Sequence, residues 1–193
     1  VILKPYGDTA LLLDCASLDE AQRWFAALHG DAEAVLGARS VLLRGQPADL
    51  RSLVGRTTPG DSATPDDGAE IEIPVVYDGA DLDEVARLTS LTTAEVVQAH
   101  TGTPWTVAFG GFAPGFCYLV DGDAGLQVPR RDSPRPRVPA GAVGLAGEFS
   151  GVYPRESPGG WQLIGRTELT MWDTSREKPA LLVAGMTVRF VVA

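Results

Sequence analysis

The sequence predicts an α+β chain in which a small N-terminal α/β sandwich precedes a mostly β unit, either a barrel or a sandwich. Three observations carry that expectation. Residues 1–54 alternate strand and helix patterns, residues 55–69 (GRTTPGDSATPDDGA) have almost no apolar content, and beyond Gly102 short apolar segments are separated by Gly and Pro turns. A chain of 193 residues that is 45% hydrophobic buries a real core and fits one domain or two small ones.

In chain order, Ala10 to Leu13 is an apolar strand pattern. Ser17, Leu18, Asp19 and Glu20 form a capping-box signature, after which Ala21, Trp24, Phe25 and Leu28 recur at helical spacing until Gly30 ends the helix. Val41 to Leu43 reads as a second strand, and Pro47 to Val54 as a short helix opened by proline. The polar, acidic stretch from about residue 55 reads as a mobile linker. It divides the chain into a small α/β domain at 1–69 and a β domain at 70–193.

Glu70 to Tyr77 (EIEIPVVY) alternates as a strand does, and Pro74 places it at an edge or a bulge. Asp81 to Leu88 and Thr92 to His100 read as helices, each opened by a capping residue with glutamate three positions on, Glu84 and Glu95. Short strands are then expected at Thr106 to Phe109, Phe116 to Val120, Ala142 to Ala146, Trp161 to Ile164, Leu169 to Trp172 and Thr187 to Val192. Pro129 to Gly165 is so dense in arginine, proline and glycine that it must consist of short strands and specified turns.

Sixteen basic against twenty-five acidic residues give a formal charge of −9, which argues against nucleic acid or an anionic membrane as the main partner. Val1 to Asp14 lacks the pattern of a signal peptide, no apolar run approaches a membrane span, and Cys15 and Cys117 read as free thiols; the expected compartment is the cytoplasm. With two histidines far apart and no CxxC or HxxxH, no metal site is expected. His100 and His29 both close helices, where the dipole favours a cation, and Cys117 reads as a buried, inert thiol. No serine lies in a nucleophile elbow, so catalytic residues stay unassigned.

Two segments stand out as candidate site elements. The loop Phe109 to Phe116 packs glycines and a proline between aromatics; it is either a tight barrel turn with core aromatics or a ligand-contacting loop walled by Phe112 and Phe116. It lacks the Gly-Lys-Ser/Thr step of a phosphate loop. Arg130, Arg131, Arg135 and Arg137 fall within eight residues of an acidic chain. Arginine forks suit carboxylates or phosphates, or else pair with Asp121, Asp132, Glu148 or Glu156 of the protein itself. Glu148, Tyr153, Glu156 and Gln162 are further polar candidates.

FGGFAPGFCYL at 109–119, PRRDSPRPRVPAGAV at 129–143 and GVYPRESPGGWQLIGRT at 151–167 resemble the allophanate hydrolase subunit 1 family, also described as the B subunit of 5-oxoprolinase and as the Kip-type inhibitor of a sporulation histidine kinase. Gly7, Asp8 and Ala10, the helix ending in His100, and GMTVRFV at 185–191 extend the likeness over nearly the whole chain. The resemblance implies a small α/β domain followed by a cyclophilin-like β-barrel, working as a non-autonomous subunit of an ATP-dependent complex that converts 5-oxoproline to glutamate. It implies two partners, a paralogous barrel subunit (the C type of that complex) and a lactam-opening subunit (the A type). No cofactor is expected on this chain alone, ATP being used by the complex. The family also implies two alternatives, an inhibitor of a sensor histidine kinase and a carboxyltransferase half acting on a urea-like amide. Carried onto this sequence, the pocket comprises Phe112, Pro114, Gly115, Phe116, Tyr118, Arg130, Arg135 and Arg137, with His100 and the Pro158, Gly159, Gly160, Trp161 turn as second-rank members. Ala142 stands where the family usually has serine, and Glu148, Phe149 and Ser150 replace a more common Gln-Thr step, removing hydroxyl or amide partners.

Overall fold

A computed structural model of the chain describes residues 1–60 and 69–193, which divide into compact units at 1–66 and 67–193. In the first unit, β1 (Ile2–Pro5), β2 (Ala10–Asp14), β3 (Glu33–Gly37) and β4 (Ser40–Arg44) form an antiparallel sheet in the order β1-β2-β4-β3. Leu11 pairs with Leu43 and Leu13 with Val41, and all are fully buried. Such alternation turns one face of the central strands into core. Helices α1 (Leu18–Leu28) and α2 (Pro47–Arg56) supply Ala21, Leu28, Leu50, Leu53 and Val54 to the interior.

Ser17 caps α1 by accepting the Glu20 N–H at 3.1 Å, but the Glu20 carboxylate accepts in return from the Ala16 N–H at 2.6 Å, one residue early. β1 and β3 were not foreseen. Both are edge strands, and an edge that buries a single large side chain, as β3 does with Leu36, carries too little alternation to register. Gly55 and Arg56 form the last turn of α2, so the linker cannot begin at residue 55. The expected mobility falls on residues 61–68, outside the described residues.

The second unit contains β5 (Glu70–Val75), α3 (Leu82–Thr89), α4 (Thr93–Gly102), β6 (Trp105–Gly110), β7 (Cys117–Val120), β8 (Arg135–Val138), β9 (Ala142–Ala146), β10 (Phe149–Val152), β11 (Ser157–Gly159), β12 (Gln162–Arg166) and β13 (Thr187–Val192). Seven strands make one sheet in the order β12-β9-β10-β7-β6-β13-β5, parallel only between β13 and β5. Its two ends meet where Val76 and Arg166 exchange backbone hydrogen bonds of 2.8 and 2.9 Å, which nearly closes the sheet into a barrel. Pro74, with no N–H to give, sits on the terminal strand β5. β8 and β11 form a separate two-stranded ribbon.

The barrel strands serve two apolar layers. Val143 and Leu145 of β9, Ile164 of β12 and Leu119 of β7 join one core, with Ile73, Val107, Val188 and Phe190. Ala142, Ala146, Leu163 and Tyr118, one position away on the same strands, join a second cluster with Phe116, Tyr153 and Trp161. Period-two alternation explains the split. The strand expected at Leu169 to Trp172 does not form: Trp172 makes one isolated bridge to Ala180, and within that segment Met171 alone is buried. β8, β10 and β11 went unread because RPRV, FSGV and SPG show no apolar alternation and become strands only through their tertiary partners.

Candidate functional site

The Phe109–Phe116 loop is closed by a hydrogen bond from Gly111 N–H to the Phe116 carbonyl at 3.1 Å, with an inner bond from Ala113 N–H to the Gly111 carbonyl at 2.7 Å. To make that turn, Phe112 takes φ of 65°, the left-handed region that costs a non-glycine residue about 1–2 kcal/mol, and its ring remains 58% exposed. Gly115, at φ 82°, is sterically required, since a Cβ there would lie 2.7 Å from Trp172 Cβ. Beneath the loop, Phe116 is edge-on to Tyr153 and Trp161, each at 5.3 Å between ring centroids, and to Tyr118 at 5.2 Å. Phe112 caps this arrangement 5.3 Å from Phe116 and 6.1 Å from Tyr153.

These rings, with Arg130, Pro158, Gly159 and Gly160, enclose a cavity of about 60 Å³. Gly159 belongs here by necessity, because a Cβ would overlap the Tyr153 hydroxyl. Burial pushes the Tyr153 pKa upward, partly offset by the nearby Trp161 backbone N–H. Burial also raises Tyr118, partly offset by the Arg130 charge.

The four clustered arginines separate into distinct roles. Arg135 grips Asp81 with both terminal guanidinium nitrogens at 2.7 and 2.8 Å, and Arg131 adds a third bond at 2.7 Å. A fourth comes from the Leu163 backbone N–H at 2.7 Å. Asp81 is only 3% exposed; burial by itself would raise its pKa, but the Arg135 and Leu163 hydrogen bonds and the two arginine charges hold it below the ordinary carboxylate value. The capping box read at Asp81 and Glu84 is therefore absent, because the Asp81 carboxylate is spent on the arginines and β12. By contrast, the box at Thr92 and Glu95 is complete in both directions. Arg137 is exposed and reaches Glu156 at 3.8 Å. Arg130 has no hydrogen-bond or ion-pair partner among the described residues, and it borders the aromatic cavity.

Of the expected pocket, Phe112, Phe116, Tyr118, Arg130, Gly160 and Trp161 come together at one cavity. Pro114 is exposed beside it, and Gly115 supports the loop from behind. His100 lies elsewhere, fully buried in the barrel and stacked on Phe190 at 4.2 Å. Its Nδ1 meets the Tyr77 hydroxyl at 2.7 Å and its Nε2 the Ser150 hydroxyl at 2.9 Å. Burial drives its pKa down to about 3, so a neutral ring holding two hydroxyls replaces the dipole explanation. Ser150, at the step where a missing partner was expected, supplies one of those hydroxyls. Cys117 is buried against the Leu182 carbonyl at 3.5 Å, its pKa pushed up to about 11 by burial, which fits an inert thiol. No cluster of three metal-ligating side chains occurs among the described residues. Asp81 was the key residue missed; nothing in a helix-opening aspartate signals that distant arginines will claim it.

Residues 1–182 match the family model described as carboxyltransferase domain, subdomain C and D. A protein of Escherichia coli O157:H7, named as the B subunit of 5-oxoprolinase, is 51% identical over 63% of this chain and 57% of its own length. The chain spans little more than half the length of the curated relatives it matches. The crystal structure of a protein called TTHA0988 is similar at 35% identity and a TM-score of 0.78, covering 100% of this chain and 40% of that one. The urea carboxylase of Kluyveromyces lactis shares the fold at 18% identity and a TM-score of 0.72, over 99% of this chain and 21% of that one.

Proposed function

The chain belongs to the carboxyltransferase subdomain C and D family, and on that premise we propose that it is a component of an ATP-dependent 5-oxoprolinase complex, inactive alone. The observation that carries this reading is Arg130, a guanidinium without a partner among the described residues, beside a ring-lined pocket, while Arg131, Arg135 and Arg137 are engaged. An unpaired arginine next to an apolar wall suits a small carboxylate with a compact body, and 5-oxoproline is one. The name shared by the relatives supports the same substrate. On this reading Arg130 holds the substrate carboxylate at the mouth of the ring-lined cavity, whose volume of about 60 Å³ does not enclose the ligand; exposed Phe112 contacts it, Phe116, Tyr118, Gly160 and Trp161 back the site, and Gly115 and Arg135 hold the walls. The larger unit is then a cyclophilin-like barrel working in the cytoplasm, where ATP is supplied. Its partners are a paralogous barrel protein and a lactam-opening protein, and exposed Phe112 and Trp172 offer apolar surface for such contacts.

Reconstitution with the proteins encoded beside it tests the proposal: glutamate should form from 5-oxoproline in step with ATP hydrolysis, and only when this chain is present. Equal activity without the chain would sink it. A second reading, a carboxyltransferase half acting on a urea-like amide, is favoured by the family description and the urea carboxylase likeness in fold. Dependence of the assembled activity on a biotin-carrier protein decides for it. Pull-downs that recover a sensor histidine kinase in place of a barrel partner decide for an inhibitor.

A further inference from the structure

We propose that Gln162 is a positioning residue for Arg130: it fixes the backbone from which the unpartnered guanidinium projects, and so holds that charge beside the ring-lined cavity. The Arg130 side chain has no bond among the described residues that would aim it. Its neighbours in the chain are tied instead. From β12, Gln162 Nε2 donates to the Pro129 carbonyl at 3.2 Å. On the other side the Arg131 N–H donates to the Gly160 carbonyl at 2.8 Å, and Arg131 Nη1 reaches Asp81 at 2.7 Å. One residue further back, the carbonyl of buried Val128 accepts the Gly147 N–H at 2.7 Å. Residues 128, 129 and 131 are each anchored, and Arg130 is carried between them.

Three of these anchors converge on the start of one strand. Gly160 and Trp161 line the cavity and lead into β12, where Gln162 holds Pro129 and the Leu163 N–H holds the Asp81 carboxylate that in turn holds Arg131. The cavity wall and the arginine backbone therefore share one frame. A shift in one carries the other with it.

Gln162 has little other use for its polarity. It is 4% exposed between Trp161 and Leu163, both buried, where an apolar side chain would avoid the cost of desolvating an amide. Its hydrogen bond goes to Pro129, an exposed residue whose carbonyl water can serve. A carbonyl accepts and never donates, so the amide nitrogen must face it. Exchanging water for that amide gains little net stability, and what the bond secures is position. A long cationic side chain loses rotational freedom when it captures an anion, and a backbone fixed beforehand leaves less to freeze. The proposal rests on the functional reading above in taking Arg130 as the contact for the substrate carboxylate.

Two variants of the full chain test it: Gln162→Met, which keeps the volume without a donor, and Gln162→Asn, whose amide is one methylene short of Pro129. Where one does not fold, the other carries the measurement; failure of both to fold makes Gln162 a residue of the core and overturns the proposal. Backbone amide relaxation of the unliganded chain should show Arg130 rigid in the parent, with an order parameter of about 0.85, and falling toward about 0.6 in either variant, while the amides of β9 and β12 stay as they were. In the reconstituted complex either variant should raise KM for 5-oxoproline about fivefold, with kcat within about twofold of the parent. Added to Arg130→Met, the same substitution should change KM no further, a result that general loosening of the barrel would not produce. An Arg130 amide as rigid in the variants as in the parent, or a KM effect that adds in full to that of Arg130→Met, overturns the proposal. A complex that releases no glutamate with the parent chain removes the 5-oxoprolinase reading, and the relaxation measurement then decides the positioning role alone.

Discussion

The Asp81 staple and the Arg130 pocket draw on one arginine-rich stretch, and they differ in what each guanidinium faces. Arg131 and Arg135 turn toward a carboxylate that is 3% exposed and lock the 131–135 segment to α3 and β12. Arg130 turns toward a cavity of aromatic rings and has no carboxylate partner among the described residues. The difference teaches that clustered cations need not share a function. Two hold the wall, while Arg130 has no such partner among the described residues, which is what the proposed ligand role requires.

The largest expected effect breaks the staple. Asp81→Ala strands two arginines and the Leu163 N–H, and should lower unfolding free energy by about 3 kcal/mol in denaturant titrations. Arg135→Ala should lower it less, because Arg131 still serves the carboxylate. A change of stability at neither position would show that the staple is ornamental.

Acid sensitivity extends the contrast to the barrel interior. His100 has a folded pKa depressed from 6.5 to about 3, so its contribution is fully present above the unfolded value and is lost as pH falls between those two values. Within that window the slope approaches about 1.4 kcal/mol per pH unit for one group. Asp81, also depressed, loses its contribution only below its ordinary value of 3.8. Stability measured against pH should therefore fall in two stages, with His100→Gln flattening the upper stage and Asp81→Asn the lower.

Arg130→Ala sharpens the comparison from the other side. Its stability should match the parent within about 0.5 kcal/mol, while substrate use by the reconstituted complex drops about tenfold or more. Loss of stability equal to that of Arg135→Ala would place Arg130 among the structural arginines. Smallest of all is Phe112→Asn, which relieves a left-handed φ and should leave stability level or raise it by up to about 1 kcal/mol. Activity should nonetheless fall, since the cap over Phe116 and Tyr153 is gone.

Much of this molecule could be read before it was seen folded. Leu11, Leu13, Val41 and Leu43 announce their strands because burial on one face imposes alternation, and Thr92 with Glu95 announces a helix start because both bonds of its cap are local. The Phe112, Phe116, Tyr118, Trp161 pocket was legible as a motif. Its finer membership was not: Tyr153 was only one of several polar candidates, and its place as a wall rests on its close approach to Gly159 of β11 and its ring contact with Phe116.

By itself, then, the amino-acid order determined the α+β class, the central strands and the helix starts with local caps, since each rests on a periodicity or on contacts between residues a few positions apart. Only the tertiary structure decided which of the four clustered arginines lacks a partner among the described residues. Asp81 lies about fifty residues from Arg131 and Arg135, and its carboxylate is bound to both. His100 meets Ser150 over a similar separation and becomes a neutral core residue. Charge pairing and burial depend on distance in space, and no local pattern encodes the partner that closure of the barrel delivers.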